Sequence, residues 1–155
     1  MASAEDARYR LRLGEGFLTE AQQDLTLGRR RSCVDNSQLS VENAAKSVLA
    51  LLGPIGRTHS VAGLLRRAVH EHRFSPPLIP AVSRLADLAE KLAWDIHVAS
   101  DYGDEIGRRT PWELFDETAA GEALCVAEEA VAIARPAAGS VHSRQPQWEW
   151  LAPVA

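Results

Sequence analysis

The stretch SVENAAKSVLALLGPIGRTHSV, Ser40 to Val61, decides the fold class of this chain. Its first part repeats apolar residues at the spacing of a buried helix face. Gly53-Pro54 then stops the helix, because glycine accepts the left-handed cap conformation and proline cannot continue a helix. Thr58 offers the cap of a next helix, and His59 follows it directly. The pattern predicts a long helix, a turn and a shorter helix.

The remaining sequence shows similar helix starts and stops, and strand alternation is nearly absent. We predict helices over 5–27, 31–52, a short stretch behind Thr58, Pro80 to Gly103 or Gly107, and Thr110 to about Ala134. The buried face predicted for the first helix consists of Tyr9, Leu13, Phe17, Ala21 and Leu25. The predicted fold is all-α: an up-and-down antiparallel bundle of about five helices.

The chain of 155 residues is long enough for one domain with its own core. We predict a bundle over residues 1–135 and a tail over 136–155 that contains Trp148 and Trp150. That tail is either a flexible extension or an aromatic anchor for the bundle or a partner. No apolar run is long enough to cross a membrane, and Met1 to Glu20 lacks a secretory apolar core.

The two cysteines are isolated, and no cysteine–histidine spacing suggests a metal site. We therefore expect a cytoplasmic protein with reduced thiols, no cofactor and no metal. The net charge is −4, and residues 101–129 alone carry −7. Such a chain is a poor general binder of nucleic acid, although a local basic groove around Arg29-Arg30-Arg31 stays open as an alternative to a solvated helix end.

A second informative segment is SDYGDEIGRRTPWELF, Ser100 to Phe115. In one interpretation Tyr102 stacks on a base while Asp104 or Glu105 holds a ribose or a metal. In the other, Gly103 turns the chain, Tyr102 closes the end of the bundle, and Asp104 caps or pairs with an arginine. Thr110 then supplies an N-cap ahead of a first-turn proline and a capping-box glutamate, which predicts the start of the last helix.

An acid–base pair and two histidines also have both a functional and a structural interpretation. Glu42 and Lys46 are spaced for a helical ion pair, which is either an exposed pair or part of a cleft. His59 lies at a helix start, where it contacts a phosphate together with Arg57 or packs locally. His97 either hydrogen-bonds Asp101, four residues on, or acts as a base on RNA.

These two segments together resemble the HEPN superfamily, in particular its small stand-alone prokaryotic members. The resemblance covers about Tyr9 to Ala134 and rests on VENAAKSVLALLG with the following Thr-His, and on DYGDE with TPWELF behind it. It implies a homodimer of helical bundles that pairs with a small nucleotidyltransferase, often as toxin and antitoxin. Many members of the superfamily are metal-independent endoribonucleases.

The nuclease members carry an arginine, four to six residues and then a histidine on the fourth helix. Here the nearest arginine before His97 is Arg84, and Lys91 is the nearest cation, so we do not transfer the nuclease residues. The leading hypothesis is a homodimer that binds a nucleotide or pairs with a nucleotidyltransferase. The alternatives are an endoribonuclease toxin that uses His97 and a purely structural interaction module. The ligand-binding candidates are Lys46, His59, His97, Asp101, Tyr102 and Asp104.

Overall fold

The computed structural model describes residues 4–139, so Trp148 and Trp150 lie outside the described residues. The helices are α1 (Ala4–Thr26), α2 (Arg30–Ala50), α3 (Val61–His70), a 3-10 turn (Pro76–Leu78), α4 (Ile79–Lys91), α5 (Trp94–Tyr102), α6 (Pro111–Leu114) and α7 (Glu117–Gly139). The only strand-like pairing in this part of the chain is an isolated bridge between Asp104 and Arg109. The all-α prediction is confirmed. Every helix in residues 4–139 is too short or too polar to span a bilayer.

Helix α2 is the centre of the fold. It packs against α1 and α7 along most of its length and also contacts α3, α4, α5 and α6. Helix α3 pairs with α4, which leans on α7. Burial on so many sides takes polar as well as apolar residues of α2 out of water, namely Ser37, Gln38, Ser40, Glu42, Asn43 and Ser47.

The contact between α1 and α2 depends on small residues. A Cβ atom at Gly14 would lie 3.2 Å from the Ser40 carbonyl oxygen and 3.3 Å from the Ala44 nitrogen. The Ser40 hydroxyl donates a hydrogen bond of 2.7 Å to the Gly14 carbonyl, which fixes the two backbones together. The face predicted for α1 is confirmed at Ala21 and, in part, at Leu25, which packs against the core, but it is wrong at Tyr9, which is 52% exposed. The observed face consists of Ala7, Leu11, Gly14, Leu18, Ala21 and Asp24.

The predicted fourth helix is broken into α4 and α5. Leu92 leaves the helical conformation with φ −115° and ψ 66°, and Ala93 is extended. Neither residue is a helix breaker, so no local signal marks this position. The break turns α5 across α2, and tertiary contacts described below hold Trp94 and His97 there.

The predicted last helix is also divided. Thr110 does cap a helix start, since its hydroxyl accepts a hydrogen bond from the Glu113 nitrogen, but α6 is a single turn. Phe115 is extended and buried, and the Asp116 carboxylate then caps α7 by accepting from the Ala119 nitrogen at 2.8 Å. Helix α7 continues past the predicted end at Ala134 to Gly139 and includes Pro136.

We predict that Gly103→Ala destabilises the fold far more than Gly28→Ala. Both glycines have φ +72°, which strains any L-residue by about 1–2 kcal/mol. Open space surrounds Gly28, whereas a Cβ at Gly103 would overlap the Arg109 carbonyl oxygen. Urea unfolding of the two variants measures the difference. Equal losses in unfolding free energy would contradict the assigned contact.

Candidate functional site

Glu42 is the best-buried charged side chain of the candidate site. Its carboxylate lies 3.0 Å from Lys46 Nζ and 2.8 Å from His59 Nδ1, and Gln38 Nε2 donates to it at 3.3 Å. The Glu42 side chain is 3% exposed and that of Lys46 is 12% exposed. An exposed pair is therefore the wrong interpretation, because both side chains are largely removed from water.

Two opposing effects set the pKa of Glu42. Burial is the largest single effect and raises the pKa, because it penalises the charged form. Hydrogen bonds from Lys46 and His59, the charge of Lys46 and the bond from Gln38 favour the carboxylate. Together they outweigh burial, so the pKa of Glu42 is lowered from 4.5. Glu42 is thus a stable buried anion that orients its two basic neighbours.

His59 is held by one ring nitrogen and open at the other. Its Nδ1 contacts Glu42, its side chain is 51% exposed, and Nε2 has no partner among residues 4–139. Thr58 does not cap α3 as predicted. Its hydroxyl accepts from the Ser60 nitrogen at 3.0 Å and forms a turn, so α3 begins only at Val61. This turn places His59 on the loop ahead of the helix.

Trp94 joins His59 to His97. The rings of His59 and Trp94 stack with centroids 3.5 Å apart and an angle of 15°, and those of Trp94 and His97 stack at 4.4 Å and 23°. Sequence reasoning missed Trp94. The available signal was its position three residues before His97, which places both on one turn of a helix. The three-ring stack fixes the loop before α3 against α5.

His97 lies between two carboxylates. Its Nδ1 is 2.6 Å from Asp35 Oδ1, and its Nε2 is 3.4 Å from Asp101 Oδ2. The contact with Asp101 follows from the spacing along α5, whereas Asp35 comes from α2 and was not predicted. His97 is 16% exposed, and both of its nitrogens face acids. The Asp35 contact is short but lacks hydrogen-bond geometry, and the Asp101 contact is long, so acids approach both nitrogens without a hydrogen bond to either.

Arg31 supplies a cation to this cluster from the start of α2. Its Nη1 donates to the Ser100 carbonyl at 3.0 Å and lies 3.5 Å from Asp101 and 3.7 Å from Asp35. Arg31 was not predicted for this cluster, because it lies on α2 whereas His97 lies on α5. Asp35, His97 and Asp101 offer ligand atoms within 4.8 Å of one another, a set able to hold a metal ion. The guanidinium already neutralises part of their charge.

Tyr102 and Asp104 lie in the loop that follows α5. Tyr102 is 67% exposed, so it does not close the end of the bundle. Gly103 turns the chain, and the Asp104 carboxylate accepts from the Gly107 nitrogen at 2.9 Å. The backbone of Asp104 pairs with Arg109 in both directions. Asp104 therefore stabilises its own loop, while Lys46 with His59 and His97 with Asp101 form the two linked clusters.

A cavity of about 460 Å³ opens beside His59 and Trp94. This volume is in the range of small-molecule sites. The wall combines the turn before α3, the first residues of α3 and the junction of α4 with α5. The lining residues are Thr58, His59, Ser60, Val61, Ala62, Ala89, Glu90, Ala93, Trp94 and Asp95.

The class of the protein follows from comparison with known families. The HEPN domain profile matches residues 7–136, and the chain therefore belongs to the HEPN domain family. It is similar to a Methanocaldococcus jannaschii protein named "Putative toxin MJ1304", with 29% identity over 97 residues. That match covers 54% of this chain and 64% of the relative, so the chain spans less than two thirds of the relative's length.

We predict that Glu42→Gln reduces stability most above pH 4.5 and that the difference from the parent shrinks as pH falls. The folded pKa of Glu42 lies below its ordinary value of 4.5. Its stabilisation is therefore complete above 4.5 and is lost as pH falls through the folded pKa. Urea unfolding at a series of pH values checks this, with exposed Glu20→Gln on α1 as the control. A pH-independent difference between parent and Glu42→Gln would contradict it.

Proposed function

We propose that this protein is the nucleotide-binding, toxin-like member of a two-protein HEPN system whose other member is a small nucleotidyltransferase. The observation that carries the proposal is His59. Glu42 contacts its ring, Trp94 stacks on one face, and His59 lines a cavity large enough for a small ligand. These contacts support a role for His59 in binding a ligand.

The chemistry of the cavity wall fits a nucleotide. Helix α3 begins without a side-chain cap at Ser60, so its first N–H groups have no partner within the helix. Such a helix start attracts anions, and His59 adds a donor next to it. On the opposite wall Asp95 is an exposed carboxylate that can accept from a ribose hydroxyl. The Glu90 carboxylate, which also lines the cavity, forms a salt bridge with Arg66, with 2.8 Å between Glu90 Oε2 and Arg66 Nη2.

The proposed pairing rests on the family and on the relative. The chain belongs to the HEPN family, and the resemblance to that family implies a nucleotidyltransferase partner. The similar protein from Methanocaldococcus jannaschii is named as a putative toxin. A nucleotide site on the HEPN member suits a partner that handles the same class of ligand. Co-purification with a nucleotidyltransferase encoded beside it tests this part of the proposal.

We predict that His59→Ala and Trp94→Ala each weaken nucleotide binding at least tenfold, a loss of about 1.4 kcal/mol. Isothermal titration with adenine and guanine nucleotides measures the affinity. His70→Ala is the matched control, because His70 is an exposed histidine at the far end of α3. Circular dichroism shows whether each variant is folded. A parent protein that binds no nucleotide, or a folded His59→Ala that binds as well as the parent, would refute the proposal.

We also propose that a second copy of the chain covers the groove between α4, α5 and α7. This groove of about 890 Å³ is lined mainly by apolar side chains, which a second copy of the chain would remove from water. The apolar residues of its wall include Leu88, Leu92, Ile96, Phe115, Ala119 and Val126. The resulting homodimer is the assembly that the family resemblance implies.

We predict that Gly121→Glu makes the protein monomeric without unfolding it. Gly121 lines the groove, and a Cβ there meets nothing within 4 Å in the single chain. The substitution therefore adds no clash to the monomer and removes a helix-interior glycine, which favours α7. Gly16→Glu on α1 is the control, because its Cβ is equally unhindered outside the groove. Sedimentation velocity decides: a dimeric Gly121→Glu, or a monomeric parent, would exclude this interface.

RNA cleavage is the second candidate function, and the position of Arg31 favours it. Arg31 places a guanidinium in the same cluster as His97. It thus supplies the cation that is missing from the residues just before His97 in the sequence. Against it, both nitrogens of His97 face carboxylates, so cleavage requires one of these contacts to open. Cleavage of transfer or messenger RNA by the parent, lost in His97→Ala, would establish this function in place of simple binding.

A further inference from the structure

Three potential metal ligands converge between α2 and α5. Asp35 comes from α2, and His97 and Asp101 come from α5. Each residue offers one ligand atom, and these atoms all lie within 4.8 Å of one another. Two ligands on opposite sides of an ion with bonds of about 2.0–2.2 Å are roughly 4.2 Å apart, so small side-chain rotations bring all three onto one ion.

The two ligands of α5 are spaced to chelate. His97 and Asp101 are four positions apart, so they project from one face of the helix. His97 Nε2 lies 3.4 Å from Asp101 Oδ2, and neighbouring ligands of a tetrahedral zinc ion are also about 3.4 Å apart. Trp94 stacks on the His97 ring and fixes its orientation. The Asp101 side chain is 37% exposed, which gives an ion a path from solvent.

Two buried atoms of the cluster form no hydrogen bond. Asp35 Oδ1 and His97 Nδ1 are 2.6 Å apart, but neither has a hydrogen-bond partner among residues 4–139. Buried polar atoms without partners are unfavourable, so such atoms need an explanation. A cation bound by these side chains would give the Asp35 carboxylate the partner that the imidazole ring does not provide.

Arg31 compensates the cluster only in part. Its Nη1 lies 3.5 Å from Asp101 and 3.7 Å from Asp35, whereas a charge-assisted hydrogen bond is about 2.7–2.9 Å long. The same nitrogen lies closer, at 3.0 Å, to the uncharged carbonyl of Ser100. Two carboxylates thus face one loosely placed guanidinium, which leaves negative charge in the cluster to attract a further cation.

We propose that Asp35, His97 and Asp101 bind a divalent transition-metal ion of the zinc type, which fastens α5 to α2. One imidazole nitrogen and two carboxylate oxygens suit zinc, whose remaining position is filled by water. Magnesium and calcium prefer oxygen ligands alone and would not use the histidine. With the ion bound, His97 is a ligand and is not available as a base for RNA cleavage. The site is separate from the cavity at His59 and does not depend on nucleotide binding.

The test is titration of the metal-free full chain with zinc chloride, measured by calorimetry. The parent should bind one ion per chain. His97→Ala and Asp101→Asn should each weaken binding at least tenfold, because loss of even an outer-shell partner costs about 10–100-fold. Arg31→Gln should tighten binding, because the ion no longer shares both carboxylates with a guanidinium. Asp87→Asn is the matched control, since Asp87 is an exposed carboxylate of α4 that pairs with Arg66.

Zinc should also raise the midpoint of thermal unfolding of the parent but not that of Asp101→Asn, because an ion that binds only the folded chain stabilises it. Circular dichroism shows whether each variant is folded. A parent that binds no zinc at micromolar concentrations would overturn the proposal, as would folded His97→Ala and Asp101→Asn that bind zinc as tightly as the parent. Magnesium that binds as tightly as zinc, or Arg31→Gln that binds zinc no more tightly than the parent, would also contradict it.

Discussion

The burial of α2 on nearly every side governs the rest of the structure. Because α1 approaches through Gly14 and α7 covers the other flank, many polar groups of α2 are removed from water, and a charge among them needs protein partners. Glu42 shows the consequence most clearly. A buried carboxylate without partners would cost several kcal/mol, so Lys46, Gln38 and His59 have to converge on it. The candidate site thus forms around the buried carboxylate of Glu42.

Local sequence signals predicted most of the helices, but they predicted only some of the residues of the candidate site. Helices α1 and α2 begin and end within one or two residues of their predicted bounds, because Gly28 and Gly53-Pro54 mark their ends. The break at Leu92–Ala93 has no such mark, since it is imposed by the packing of α5. Without that break Trp94 could not be placed beside His59. Asp35, which contacts His97, and Arg31, which contacts Asp35 and Asp101, were not predicted because they come from a distant part of the sequence.

His59 and His97 each contact a carboxylate of α2, but they differ in what their second ring nitrogen contacts. Each has one nitrogen against a carboxylate of α2, Glu42 for His59 and Asp35 for His97. The second nitrogen of His97 meets Asp101, whereas that of His59 meets no described residue. A histidine with one fixed and one free nitrogen can donate to or accept from a ligand. Of the two, His59 is therefore the one with a ring nitrogen that meets no other described residue.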